Sequence, residues 1–103
     1  ITGTPKSLAV PRLKKIGIDP ELFKIQIFGE TWLPAIKTDG SIFKRLIEYS
    51  KLKPEEHVYI GDSVKADIIP AKSAGMLTIY VGKKIEEAHY SIIKIHEIKK
   101  LLL

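Results

Sequence analysis

A short run of strand formers that stops on a glycine and an acid constrains this chain most. Val58, Tyr59 and Ile60 follow His57 and run into Gly61-Asp62-Ser63. Such residues suit a buried parallel strand. Asp62 then falls at the strand's carboxyl end, where open α/β sheets bind ligands. Asp67 follows five residues after Asp62, near the start of the next helix. Two carboxylates placed in this way can hold Mg²⁺, a hard ion that takes carboxylate oxygens and keeps several waters. Asp62-Ser63 taken alone also reads as a helix cap.

The rest of the chain alternates helix and strand. Pro5 to Ile16 predicts a helix with Leu8, Leu13 and Ile16 inward, Pro11 as a kink or interruption, and Gly17 as the stop. Asp19-Pro20-Glu21 predicts a capped short helix. Lys24 to Phe28 predicts a strand, Gly29 to Asp39 a loop, and Ser41 to Lys51 a helix with Ile42, Phe43, Leu46 and Ile47 on one face. Pro54-Glu55-Glu56 turns the chain into the Gly61 strand. Ser63 to Asp67 is expected as a turn, followed by a helix to Ala74 with Pro70 near its start. Leu77 to Val81 and Tyr90 to Ile93 predict strands, and Ile95 to Leu103 a closing helix. This alternation implies an α/β fold with a parallel, three-layer, Rossmann-like sheet.

Composition excludes several function classes. The chain has 103 residues, one domain at most, with 45% apolar and 28% charged residues, as a folded domain requires. No apolar run approaches the roughly 20 residues of a membrane span. There are no cysteines, so disulfides, thiolate metal sites and cysteine nucleophiles are excluded. The net charge of +5 comes from scattered lysines such as Lys14-Lys15 and Lys83-Lys84, as on solvated faces. No recognition helix or aromatic-basic stripe argues for nucleic acid, and a positive field also suits a phosphorylated substrate. His57, His89 and His96 are spaced as structural or exposed residues. A cytoplasmic location is the default expectation.

Three segments carry further information when taken in order. Ile1-Thr2-Gly3-Thr4-Pro5 stands first, Ile36-Lys37-Thr38-Asp39-Gly40-Ser41 second, and Gly61-Asp62-Ser63 with Asp67 third, trailed by Ala74-Gly75-Met76. Together they resemble the second, third and fourth motifs of the haloacid dehalogenase-like (HAD) hydrolases, over nearly the whole chain. The first motif of that family is a strand ending in Asp-x-Asp, whose first Asp attacks the substrate. Asp19, Asp39, Asp62 and Asp67 contain no such pair, and the chain begins at Ile1, already at the second motif. Residues 1–103 are therefore expected to be the carboxyl-terminal part of a HAD-like core domain, incomplete on its amino-terminal side.

The resemblance implies a chemistry. HAD phosphatases attack phosphorus with a carboxylate and pass through an aspartyl phosphate, so neutralising charge is the central need. Asp62 would bind Mg²⁺ directly and Asp67 directly or through water. Lys37 would be the third-motif lysine. Thr2 would hydrogen-bond a phosphate oxygen, helped by the backbone N–H of Gly3. The common family pattern Lys-Pro-Asp-Pro is altered, with Thr38 and Gly40 in place of the prolines, which is expected to loosen the loop. Asp39 is expected to cap the following helix. The double acid favours Mg²⁺-dependent phosphoryl transfer over dehalogenation, whose fourth motif resembles Ser-Ser-Asn. The resemblance thus implies part of a phosphatase acting on a small phosphorylated metabolite. Alone, these residues would be inactive for want of the attacking aspartate, and would self-associate or pair with the missing amino-terminal segment. The alternative is a non-catalytic or regulatory HAD-like module that associates with another chain. A receiver-type phosphoacceptor would place its acids before the Thr and Lys, the reverse of this order.

Overall fold

Helix α1 (Lys6–Lys15) begins behind Pro5 and stops at Gly17, as its punctuation requires. The structure, a computed structural model, describes residues 1–102. They divide into two units, Ile1–Ile36 and Lys37 onward. In the first unit, the Gly17 N–H donates to the Lys14 carbonyl at 3.0 Å and the Ile18 N–H to the Leu13 carbonyl at 2.9 Å. These two bonds satisfy carbonyls that the helix end leaves free. Arg12, Lys14 and Lys15 occupy the last turn, where positive charge complements the helix dipole. Pro20–Leu22 forms a 3₁₀ turn whose first N–H groups are capped by Asp19, which accepts from the Glu21 N–H at 3.0 Å.

Three expectations for this unit are corrected. Pro11 does not interrupt α1, which runs on to Lys15. Leu8 and Ile16 are exposed rather than inward, and Ala9 is the buried residue of the helix. Besides Ala9 and Pro20, only Ile27 and Phe28 are buried among the described residues of this unit, too little apolar surface to cover the whole stripe of α1. Lys24 to Phe28 forms no strand. A strand needs a ladder, and this segment meets the chain's start through isolated backbone bonds instead, Thr2 N–H to the Ile27 carbonyl and, one residue past the segment, Gly29 N–H to the Thr4 carbonyl, both 3.0 Å.

The second unit holds helix α2 (Ser41–Ser50), with Ile42 and Phe43 buried and Leu46 and Ile47 half-buried on the expected face. A 3₁₀ turn at Pro54–Glu56 leads into β1 (Val58–Gly61). After helix α3 (Ile69–Ser73) come β2 (Leu77–Val81) and β3 (Tyr90–Ile92). All pairs are parallel, in the order β1-β2-β3, with Tyr59 opposite Thr78, Gly61 opposite Tyr80 and Ile79 opposite Tyr90. The unit is therefore α/β with a parallel sheet. Its core gathers on β2, where Thr78 and Ile79 are fully buried, and on Phe43, Ile68, Ala71 and Met76. A 3₁₀ turn at Ile95–Glu97 and helix α4 (Ile98–Leu102) form the expected closing helix, and Leu103 lies outside the described residues.

One element of this unit differs from expectation in a way that shapes the site. Ser63 to Asp67 is not a plain turn: Val64–Ile68 is a single π-helical turn that runs into α3. The Ser63 carbonyl accepts from both the Asp67 N–H, at 3.0 Å, and the Ile68 N–H, at 3.1 Å, and the Ser63 hydroxyl oxygen accepts from the Ala66 N–H. Such i→i+5 turns are rare and recur at functional sites. Pro70 falls at the start of α3 as expected, where its missing N–H costs nothing.

Candidate active site

Side chains on β1 alternate between the two faces of the sheet, so Tyr59 and Gly61 share one face. Asp67 is aimed at that face by the π-helical turn. A Cβ built on Gly61 would meet the Asp67 Cβ at 2.5 Å, so only a glycine lets the carboxylate lie against the strand end. Asp67 is buried, at 4% exposure. A buried carboxylate must be paired or fully hydrogen-bonded, and this one is. Lys37 Nζ donates to its Oδ1 at 2.6 Å, Tyr59 OH donates to the same oxygen at 3.1 Å, and the Ser63 N–H donates to Oδ2 at 3.2 Å. The ion pair is mostly withdrawn from water, with side-chain exposures of 20% for Lys37 and 6% for Asp67.

The loop before α2 delivers the lysine. Gly40 N–H donates to the Lys37 carbonyl at 2.9 Å and closes a turn, with Gly40 at φ +78°. A proline there could neither donate that bond nor adopt that φ, so Gly40 gives a closed turn where the sequence had suggested a loose one. Asp39 caps the helix as expected: its Oδ1 accepts from the Ser41 N–H at 2.9 Å and from the Ser41 hydroxyl. These bonds hold the Asp39 carboxyl below its ordinary value of 3.8.

Tyr59 is the residue that sequence reasoning missed, having been read as a strand former only. Its ring meets the Phe43 ring edge-on, with centroids 4.8 Å apart, and its hydroxyl reaches Asp67. Burial, and then the Asp67 and Asp62 charges, push the phenol well above its usual range, so it stays a neutral donor at ordinary pH. The available signal was a hydroxyl on an otherwise apolar strand, at the position that shares a face with Gly61.

Asp62 itself is exposed and has no hydrogen-bond or ion-pair partner among the described residues. Asp62 and Asp67 are hard oxygen donors of the kind Mg²⁺ takes, and Asp67 Oδ2 has only one long contact to give up. The pair therefore fits such an ion chemically as part of a ligand set. No cluster of three or more His, Cys, Asp or Glu gathers among the described residues, so most of the ion's shell would be other oxygens, waters included.

Thr2 and Gly3 belong to the first unit. Thr2 is held by its backbone bond to Ile27, and its hydroxyl oxygen accepts from the Thr4 N–H at 3.1 Å. His57 has a structural role. Its Nδ1 lies 2.8 Å from the Lys53 carbonyl, which can only accept, and its Nε2 lies 2.7 Å from Ser50 Oγ. His89 Nδ1 accepts from the Thr78 N–H at 3.0 Å, extending the β2–β3 contact by one bond.

A parallel α/β sheet with acids and a paired lysine beyond a strand's carboxyl end has its candidate site where open α/β sheets bind ligands. Residues 1–81 match the family model described as haloacid dehalogenase-like hydrolase, and the chain belongs to that family. It is 39% identical over 95 residues to the glyceraldehyde 3-phosphate phosphatase of Methanocaldococcus jannaschii, an alignment covering 88% of this chain and 41% of that protein. It resembles the crystal structure of a HAD phosphatase from Thermococcus onnurineus, with 32% identity and a TM-score of 0.78 over 95% of this chain and 46% of the other. A predicted phosphoglycolate phosphatase from Haemophilus somnus matches all of this chain and 48% of its own, with 25% identity and a TM-score of 0.84. The chain thus spans less than half the length of each of these relatives.

Proposed function

We propose that this chain forms part of a Mg²⁺-dependent phosphatase acting on a small phosphorylated metabolite through an aspartyl phosphate. The observation that carries the reading is the buried Lys37–Asp67 pair next to the exposed Asp62 at the carboxyl end of β1. The names of the three relatives described above, each a phosphatase, support the same reaction class. In this reading Lys37 supplies a fixed positive charge toward the transferring phosphoryl group. Asp67 holds the ammonium in place. Asp62, with Asp67 assisting, would hold the divalent ion, which when bound neutralises charge on the phosphoryl oxygens. Thr2 and the Gly3 N–H are assigned to a phosphate oxygen. The attacking carboxylate is assigned outside residues 1–103, because none of the four aspartates forms the family's Asp-x-Asp pair, and in this reading Asp62 is committed to the ion, Asp67 to Lys37, Asp39 to the start of α2 and Asp19 to the 3₁₀ turn.

The free edge of β1 supports a further part of the reading. β1 pairs with β2 on one side and, among the described residues, with no strand on the other. An open parallel edge seeks a partner, so self-association or pairing with an amino-terminal segment is expected. No described helix is long and apolar enough to cross a membrane, and the reading places the protein in the cytoplasm.

The test is an aryl phosphate assay with Mg²⁺, on residues 1–103 alone and on the product read from the coding sequence upstream of Ile1. Turnover in the longer protein only, abolished by Asp62→Asn, is the expected result. Robust turnover by the isolated residues would show that the nucleophile lies among them. No turnover in either would leave the non-catalytic module as the better reading.

A further inference from the structure

We infer that Tyr59 is a positioning residue for Lys37, acting through Asp67. The inference rests on the phosphatase reading for its functional meaning and on the geometry alone for its structural content. Tyr59 OH and Lys37 Nζ donate to the same oxygen of Asp67, at 3.1 and 2.6 Å. Oδ2 takes only the Ser63 N–H, at 3.2 Å. A carboxylate held by one backbone bond and one flexible lysine can still rotate about its last torsion, which is broad and roughly two-fold. The phenol removes that freedom. It comes from a strand paired with β2 from Val58 to Gly61, and its ring is fixed edge-on against Phe43 of α2. Gly61, on the same face of β1, lets the carboxylate approach closely enough to receive it. The aspartate is therefore clamped from the strand side, and the lysine has one place to sit. A catalytic cation must be held close to its working geometry by groups whose own rotamers are locked, and Tyr59 meets that need without reaching the reacting atoms.

The experiment compares Tyr59→Phe with Phe43→Leu. Tyr59→Phe keeps the ring and its packing and deletes only the hydroxyl. Phe43→Leu loosens the ring contact and keeps the hydroxyl. The first readout is the Lys37 side-chain ammonium signal by NMR in the full chain, which is observable while the ammonium is held. The second is kcat against KM for an aryl phosphate in the active protein. Tyr59→Phe is expected to broaden the Lys37 signal and to lower kcat about tenfold while KM stays within about twofold, as for a group that acts in the transition state only. Phe43→Leu, which loosens the ring but keeps the hydroxyl bond, is expected to change both in the same direction but less, whereas a purely structural role for Tyr59 would make the two variants alike. An unchanged Lys37 signal in Tyr59→Phe overturns the inference, whatever the turnover. A broadened Lys37 signal in a protein that hydrolyses no phosphate ester sustains the clamp and rejects the phosphatase reading.

Discussion

Lys37 and Asp67 bring opposite charges to a place where neither is well hydrated, and they are not equally able to escape. Lys37 retains 20% of its side-chain exposure on a long flexible stem, while Asp67 retains 6% and is fixed against Gly61. Removing the lysine strands a buried carboxylate, whereas neutralising the carboxylate leaves a cation that can turn outward. Lys37→Met is therefore expected to cost about 3 kcal/mol in urea unfolding, and Asp67→Asn about 1 kcal/mol. Equal losses would show that the lysine is as trapped as its partner. Asp62 is expected to behave in the opposite way, as an exposed acid that stabilises little and binds. Adding Mg²⁺ should shift backbone NMR signals from Gly61 to Asp67, and Asp62→Asn should abolish the response without lowering stability. Asp39 gives a pH prediction. Its bonds to Ser41 hold its folded pKa below the ordinary 3.8. It thus contributes stability that is present above that value and is lost as pH falls through the lower, folded one. The stability gap between the parent and Asp39→Asn should be constant near neutrality and close below about pH 4; a gap that widens in acid would reverse the sign.

At the scale of elements, the join between β1 and α3 does the positioning. Ser63 lends its carbonyl to two N–H groups and its hydroxyl oxygen to a third, which forces one wide turn and rotates Asp67 back onto the strand end. Gly61 leaves room for it. Gly61→Ala puts a methyl carbon 2.5 Å from the Asp67 Cβ, a contact that must be relieved by moving the carboxylate or the strand. A cost of about 1–3 kcal/mol is expected, as for other overpacking, together with loss of the short Lys37–Asp67 contact in a crystal structure of the variant. A neutral variant with that contact intact would mean that the turn is softer than its hydrogen bonds suggest.

At the scale of the whole molecule, stability is expected to be uneven. β2 is paired on both sides and carries Thr78 and Ile79 fully buried. β1 and β3 each have one unpaired side among the described residues, and the first unit buries few apolar side chains. Amide hydrogen exchange should therefore be slowest in β2, faster in β3, and fastest in residues 24–28, which have no ladder. Slow exchange across 24–28 in the isolated chain would indicate a strand partner, such as a second copy.

Much of this was legible in the residues. Local chemistry fixed Gly17 as a helix stop, Asp39 as a cap, Pro70 at a helix start, and Asp62 beyond a strand, because each depends on neighbours a few positions away. The order of the three motifs identified the family for the same reason: spacing along the chain is a sequence property. Tertiary structure decided what depends on distant partners. Lys24 to Phe28 has strand-forming residues, but a ladder needs a second strand that no local signal supplies. Leu8 and Ile16 have the helical spacing of core residues, but burial needs a surface to pack against. Tyr59 looked like one more β-former until the fold set its hydroxyl on the carboxylate that also holds Lys37, a residue 30 positions from Asp67. Periodicity says which face a side chain takes; only the packing of several elements says what waits on that face.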